Sequence, residues 1–171
     1  DVSYITLRNI HMARCDTYCL DINGAGTSAQ NIGIDGIEMG DAGKAQLYMH
    51  NMPGQGQVSF RNFRIDAYAL PSDGFILMDR MNTLPLFIDG LCLQIGGPAM
   101  AGTTIAIKMS GNLPRLSLRN VRMVGVEIIF QDDVNSITIP YVSNNPLWNY
   151  NVVQHGYEFE APYAPVYATR F

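Results

Sequence analysis

Residues 58–65 read Val-Ser-Phe-Arg-Asn-Phe-Arg-Ile, and this pattern of eight residues occurs five times in the 171-residue chain. Every copy has apolar residues at positions one, three, six and eight, Arg or Asp at position four, and Asn or Gly at position five. The copies start 26 to 30 residues apart and occupy residues 5–12, 32–39, 58–65, 86–93 and 116–123. A period of this length indicates repeats that stack on their neighbours.

The spacing inside each copy predicts two short β-strands. Apolar residues two apart face the same side of a strand. Asn and Gly enter the left-handed backbone region at the lowest cost, so one such residue bends the chain and keeps both apolar pairs facing the core. The sequence therefore predicts two continuous buried rows. They run Leu7, Ile34, Phe60, Ile88, Leu118 and Ile10, Ile37, Phe63, Leu91, Val121.

A second apolar stretch follows each of the first four copies, at residues 20–22, 47–49, 76–78 and 105–107. Each repeat is therefore expected to supply about three short strands and no helix. The charged position alternates in sign through Arg8, Asp35, Arg61, Asp89 and Arg119. Parallel stacking in register would place each of these residues beside an opposite charge, which favours that register over its alternatives.

These observations predict an all-β parallel β-helix of about five to six turns. Leucine-rich repeats share the period but place their Asn differently, and an antiparallel sandwich would show strands every 8 to 12 residues. The chain resembles the right-handed parallel β-helix of the pectin-lyase-like superfamily, and within it bacteriophage tailspike and tail-fibre proteins. The resemblance rests on the five copies and on the Asn/Gly row, which is similar to the asparagine turn of that fold. That row consists of Asn9, Gly36, Asn62, Gly90 and Asn120.

Composition excludes several classes of protein. The net charge of -4, without a basic stripe, argues against nucleic acid as a partner. No apolar run approaches the roughly 18 residues of a membrane span. The three cysteines, Cys15, Cys19 and Cys92, lack the spacing of a disulfide framework, so we expect folding in a reducing cytoplasm. The chain begins with Asp rather than Met, and we expect it to be a fragment or a processed product.

The pattern decays after residue 123, and the sequence divides into a repeat region, 1–133, and a terminal region, 134–171. If residues 137–142 are aligned with the template, Pro140 falls at the charged position. A proline there is typical of an edge strand or of a last irregular turn. Residues 146–171 are rich in aromatic side chains and Pro. They are expected to form an irregular cap that contacts neighbouring subunits, or a surface that binds sugar.

The sequence shows no catalytic signature, and the catalytic residues stay unknown. Glycoside cleavage needs two carboxylates about 5 to 10 Å apart. The candidates for such a pair, on strand or loop positions, are Asp73, Asp79, Glu127, Asp132 and Asp133. Ladder partners or solvated turns account for them without catalysis. The three histidines share no metal-ligand spacing, and we expect neither a metal nor a cofactor.

The resemblance implies a homotrimeric module of a phage tail that attaches to host surface polysaccharide and resides in the virion. The alternative is a polysaccharide lyase or glycoside hydrolase with its site on a β-helix face or between subunits. The expected sugar contacts lie in the aromatic tail, where rings would stack on sugar C–H groups and amides would bond hydroxyls. They are Trp148, Tyr150 and Tyr157, with Asn149 and Asn151.

Overall fold

The computed structural model describes residues 4–25, 30–52, 56–80, 85–95, 104–110, 115–120, 122–134 and 136–140, together with 153–154 and 157–159. Every regular element in these ranges is a β-strand. No helix among these residues is long and apolar enough to cross a membrane. The five template copies lie in one sheet, and the apolar stretches between them lie in a second sheet. This confirms the all-β prediction.

The first sheet carries the template. Its strands are β1 (Ile5–Met12), β3 (Gln30–Met39), β5 (Gly56–Ala67), β7 (Pro85–Ile95), β9 (Arg115–Arg119), β10 (Arg122–Val124), β13 (Val153–Gln154) and β14 (Tyr157–Phe159). The second sheet holds β2 (Tyr18–Asn23), β4 (Ala45–His50), β6 (Ile76–Asp79), β8 (Ile105–Ser110), β11 (Ile128–Asp132) and β12 (Ile137–Pro140). From β1 to β9 the strands alternate between the two sheets, so each pair of strands adds one turn.

Parallel pairing confirms the predicted register. Leu7 pairs with Ile34, Ile34 with Phe60, Phe60 with Ile88, and Ile88 with Leu118. The molecule is thus a parallel β-solenoid of about four turns. The sequence predicts five to six turns, one for each of the five template copies and a sixth for residues 137–142.

The residue at position five of the template bends each strand as predicted. Asn62 has φ of 52°, and the neighbouring Gly36 and Gly90 have φ of 69° and 78°. In β5 the ladder continues through this bend, so the copy is a single kinked strand rather than two short ones. The bend directs Phe60 and Phe63 into the same core, where their rings lie 5.4 Å apart.

Burial increases away from the first turn. Phe60, Phe63 and Ile88 are fully or almost fully buried. Leu7 and Ile10 of β1 are only half-buried, because β1 has a strand on one side alone in the described structure. Burial of an apolar side chain contributes roughly 1.5 to 3 kcal/mol, so the inner turns supply most of the stability.

The second sheet corrects one predicted alignment. The fourth apolar stretch was placed at residues 105–107, but Ile76 pairs with Ile107 and Met78 with Met109. Apolar residues stand at 105, 107 and 109, so two frames fit the pattern. Met109 is fully buried while Ile105 is half-buried, and the buried pair sets the register.

The terminal strands depart from the template. β12 runs antiparallel to β11, with Asp132 opposite Ile137, so residues 137–140 return along the second sheet instead of adding a parallel turn to the first. An Asx turn starts this return, because Val134 N donates to Asp132 Oδ1 at 2.9 Å. Further along the chain, β14 pairs parallel with β9 and β13 pairs antiparallel with β14, so the first sheet gains two strands. The division at residue 133 into two regions stays a prediction.

Candidate functional site

A groove of about 280 Å³ opens on the outward face of the first sheet, across β5, β7 and β9. Its floor includes Phe60 and Ile88, and its walls are outward-facing side chains. These are Gln57, Ser59, Arg61, Phe87, Asp89, Ser117 and Arg119. Successive side chains of a strand point to opposite faces of the sheet. Because Phe60 and Ile88 point into the core, the residues directly before and after them point outward.

Phe87 is the apolar element of the groove. Its side chain is 41% exposed in the middle of the sheet face. Parallel pairing places it between Ser59 of β5 and Ser117 of β9. The exposed ring offers a flat apolar surface, with the half-buried Ser59 on one side and the buried Ser117, 4% exposed, on the other.

The residues at position four of the template, the charged row, form the other wall of the groove. Arg61 pairs in register with Asp89, and Asp89 with Arg119, as the alternation of charges predicted. Asp89 Oδ1 accepts a hydrogen bond from Asn120 Nδ2 at 2.7 Å. The Asp89 carboxylate is thus flanked in register by Arg61 and Arg119, and it already accepts a hydrogen bond from the Asn120 amide. The groove offers more cationic than anionic groups, although the chain as a whole is acidic.

Arg61 is the most available charge in the groove. Its side chain is exposed, and the salt bridges described elsewhere on this face use other arginines. Arg64, for example, bonds Asp66, and its Nε lies 3.8 Å from Glu38 Oε1. The hydrogen bond with Asp66 raises the pKa of Arg64. Arg61 can therefore donate its fork of N–H groups to an acceptor on a ligand.

A second polar cluster lies on the outward face of the second sheet. His50 Nε2 is 2.7 Å from Asp21 Oδ1, and Asn51 Nδ2 is 2.9 Å from His50 Nδ1. The His50 ring stacks on Tyr48 at 4.2 Å between centroids, and Tyr48 stacks on Tyr18 at 4.6 Å. Burial, with a smaller contribution from Asp79, raises the pKa of Tyr48.

The hydrogen bonds of His50 connect neighbouring turns and leave the cluster unsuited to proton transfer. A carboxylate only accepts and an amide N–H only donates, so the ring proton belongs on Nε2 and the Nδ1 lone pair is occupied. Asn51 also donates to Asn23 Oδ1 at 3.3 Å. Both ring nitrogens of His50 are thereby engaged, and a general base would need one of them free.

The acidic candidates from the sequence serve local structure where the structure describes their contacts. Asp79 Oδ2 lies 3.0 Å from Arg80 Nε, and Asp133 Oδ2 lies 3.5 Å from Lys108 Nζ. Thr104 N donates to Glu127 Oε2 and Glu127 N donates to Thr104 Oγ1, directly before β8 and β11. Asp132, at the end of β11, is fully buried. Asp73 lies beside Lys44, whose carbonyl accepts from its backbone N–H. Within the described ranges, no three metal-ligating side chains come together.

The predicted sugar contacts fall mostly beyond the described residues. Trp148, Asn149, Tyr150 and Asn151 lie outside them. Tyr157 belongs to β14, where its backbone pairs beside Leu116 of β9. The next pair joins Glu158 to Ser117, a residue of the groove. The backbone of the aromatic tail therefore borders the groove that the sequence analysis did not find.

A signal for the groove was present in the sequence. Position two of the template faces outward and reads Thr6, Gly33, Ser59, Phe87 and Ser117. A Phe among small and polar residues at an outward position marks an apolar patch that the core does not require. Comparisons with protein-family models, with curated proteins and with solved structures found no match.

Proposed function

We propose that this chain is a receptor-binding module of phage tailspike or tail-fibre type, which attaches to host surface polysaccharide through the groove beside Phe87. The observation that carries the proposal is the exposed ring of Phe87 between Ser59 and Ser117, with Arg61 on the adjoining row. Sugar rings present apolar C–H faces and polar edges. An exposed ring with the half-buried Ser59 hydroxyl and the exposed Arg61 guanidinium beside it complements both.

Binding fits the groove better than cleavage does. Hydrolysis of a glycosidic bond requires two carboxylates on opposite sides of the bond. Among the described residues that line the groove, Asp89 is the only one with a carboxylate, and it accepts a hydrogen bond from Asn120. Lyase chemistry would require a base near neutral pH, and the described lining residues include no His or Lys.

The phage-tail setting and the homotrimer enter the proposal through the resemblance of the template. A solenoid of about four turns is a small unit, and cyclic assembly would add buried surface to it. In this proposal residues 146–171 contact a neighbouring subunit or extend the sugar surface. The second role would use Trp148 and Tyr150, since β14 borders the groove.

A glycan array of capsule and lipopolysaccharide fragments tests the proposal. We expect binding to a subset of glycans, and Phe87→Ala should weaken that binding at least about tenfold, or about 1.4 kcal/mol. Tyr68→Ala is the matched control, because Tyr68 is also an exposed ring, 74% accessible, at the far end of β5. Equal loss in both variants, or no binding to any glycan, would remove the groove from consideration.

A further inference from the structure

Arg61 lies between two carboxylates and forms an ion pair with neither. Parallel pairing places Asp35 beside it in the preceding turn and Asp89 beside it in the following turn. Opposite charges in register favour an ion pair. Among the residues that the structure describes, however, no ion pair or hydrogen bond joins the Arg61 guanidinium to another side chain. The alternation of charges therefore leaves this cation available.

Side-chain amides of the Asn/Gly row occupy both carboxylates instead. Asn62 Nδ2 donates to Asp35 Oδ1 at 2.9 Å, and Asn120 Nδ2 donates to Asp89 Oδ1 at 2.7 Å. Each Asn has a left-handed φ, 52° and 51° respectively, and each bonds the Asp of the preceding turn. The fold thus holds the two carboxylates through neutral donors, and the exposed Arg61 keeps its own N–H donors for a ligand.

Arg61 is a near neighbour of the exposed ring of Phe87. Ser59 pairs directly with Phe87, and Arg61 is two residues further along β5 on the same outward face. The spacing of strands and of residues along a strand puts the α-carbons of Arg61 and Phe87 about 8 Å apart. Both residues line the groove. A sugar ring that packs on Phe87 therefore brings a group on its edge within reach of the Arg61 side chain.

The charge of the groove favours a group with a single negative charge. The described lining residues carry two guanidinium groups, on Arg61 and Arg119, and one carboxylate, on Asp89, which leaves one positive charge. A carboxylate on the ligand balances that charge and accepts two parallel N–H bonds from a planar guanidinium. A phosphate monoester, with a charge of about -1.5 to -2 at neutral pH, would be repelled more strongly by Asp89.

We propose that the groove selects glycans whose sugars carry a carboxylate, and that Arg61 is the residue that recognises this group. The inference rests on the proposed function, because it names the class of polysaccharide that the groove beside Phe87 binds. The apolar face of the sugar packs on Phe87, and its carboxylate lies against the Arg61 guanidinium. The net charge of -4 repels an acidic polysaccharide at long range, so recognition depends on this local cation.

A glycan array that holds each acidic oligosaccharide beside its carboxyl-reduced form tests the proposal with the full chain. The probes are capsule oligosaccharides that contain glucuronate, galacturonate or sialic acid, and in the reduced forms a CH2OH group replaces each carboxylate. Neutral and phosphate-bearing oligosaccharides complete the array. We expect carboxyl reduction to weaken binding at least about tenfold, because it removes charge-assisted hydrogen bonds. Added salt should weaken binding of the acidic forms, since it screens an exposed pair.

Two variants assign this effect to one residue. Arg61→Gln should weaken binding of the acidic oligosaccharides at least about tenfold and leave binding of the reduced forms unchanged. Arg8→Gln is the matched control, because Arg8 is exposed at the same position of the template and is not among the residues that line the groove. It should bind every oligosaccharide as the unaltered chain does.

The outcomes separate carboxylate recognition from glycan binding as such. Equal binding of acidic and reduced forms, a preference for phosphate-bearing members, or equal losses in the Arg61→Gln and Arg8→Gln variants would overturn carboxylate recognition by Arg61. Each of these results would leave the groove as a glycan site. Absence of binding to every oligosaccharide would instead remove the proposed function, and this inference with it.

Discussion

The side-chain oxygen Oδ1 of Asn9 lies 2.9 Å from the position that a β-carbon on Gly36 would occupy. Gly36 follows Asn9 directly in the stack of turns, since the flanking residues pair in register. A side chain at Gly36 would force the Asn9 side chain to move and would itself be strained at a φ of 69°. In this pair of turns, Gly therefore leaves room for the Asn of the turn before it.

The alternation of charge belongs to the same arrangement. Asn62 Nδ2 donates to Asp35 Oδ1 in the turn below at 2.9 Å, and Asn62 Oδ1 lies 3.6 Å from the β-carbon position of Gly90 in the turn above. Turns with Asn at position five therefore carry Arg at position four, and turns with Gly at position five carry Asp at position four. The charged row at position four and the Asn/Gly row at position five look independent in the sequence, and this hydrogen bond joins them.

Gly36→Ala should destabilise the protein by about 1 to 3 kcal/mol, because Ala is strained at a φ of 69° and meets Asn9. Gly33→Ala is the matched control on the same strand. The nearest atom to its β-carbon position is 3.9 Å away, an ordinary contact. Urea denaturation followed by circular dichroism measures both. Equal stabilities of the two variants would contradict the packing account.

Phe60→Asp should abolish folding, because it places a charge without a partner in the fully buried row of the inner turns. The expected loss exceeds about 4 kcal/mol. Leu7→Asp is the matched variant in the same row, at the half-buried first turn. It should retain a cooperative thermal transition at a lower temperature. A folded Phe60→Asp protein would show that the row is not a close-packed core.

Gln46→Met should stabilise the protein by about 1 to 3 kcal/mol. Gln46 is fully buried, and within the described structure neither Nε2 nor Oε1 has a hydrogen-bond partner. Met fills a similar volume without polar atoms. Gln57→Met at the exposed start of β5 should change stability by less than about 0.5 kcal/mol. Destabilisation by Gln46→Met would indicate that a buried water bonds the amide.

The proposed homotrimer predicts a solution mass of three chains by light scattering. Deleting residues 146–171 should convert the trimer to a monomer or an aggregate, if this segment forms the contact between subunits. An unchanged trimer after the deletion would show that other residues hold the subunits together. A monomeric full chain would contradict the assembly directly.

Much of the fold was predictable because its determinants are local and repeated. Position five requires a left-handed residue, and Asn62 and Gly90 supply it in the sequence as in the structure. The register of β8 against β6 was not predictable, because apolar residues at 105, 107 and 109 allow either of two alignments. Only the burial of Met109 between neighbouring turns distinguishes them.

The groove was harder to predict than the core. Its residues come from three turns, and Phe87 is separated from Ser59 and Ser117 by about one repeat in each direction. In the sequence, the repeated signal lies in the apolar positions that face inward, and half of the aromatic residues outside the template lie in the tail. An apolar residue at an outward position becomes meaningful only when the neighbouring turns are read beside it.

The most direct test of polysaccharide binding by this solenoid is a crystal structure with an oligosaccharide identified on the glycan array. We predict a sugar ring against the face of Phe87, with polar groups of the ligand within hydrogen-bond distance of Arg61 and Ser59. A ligand bound elsewhere on the solenoid, with the groove beside Phe87 empty, would contradict the account.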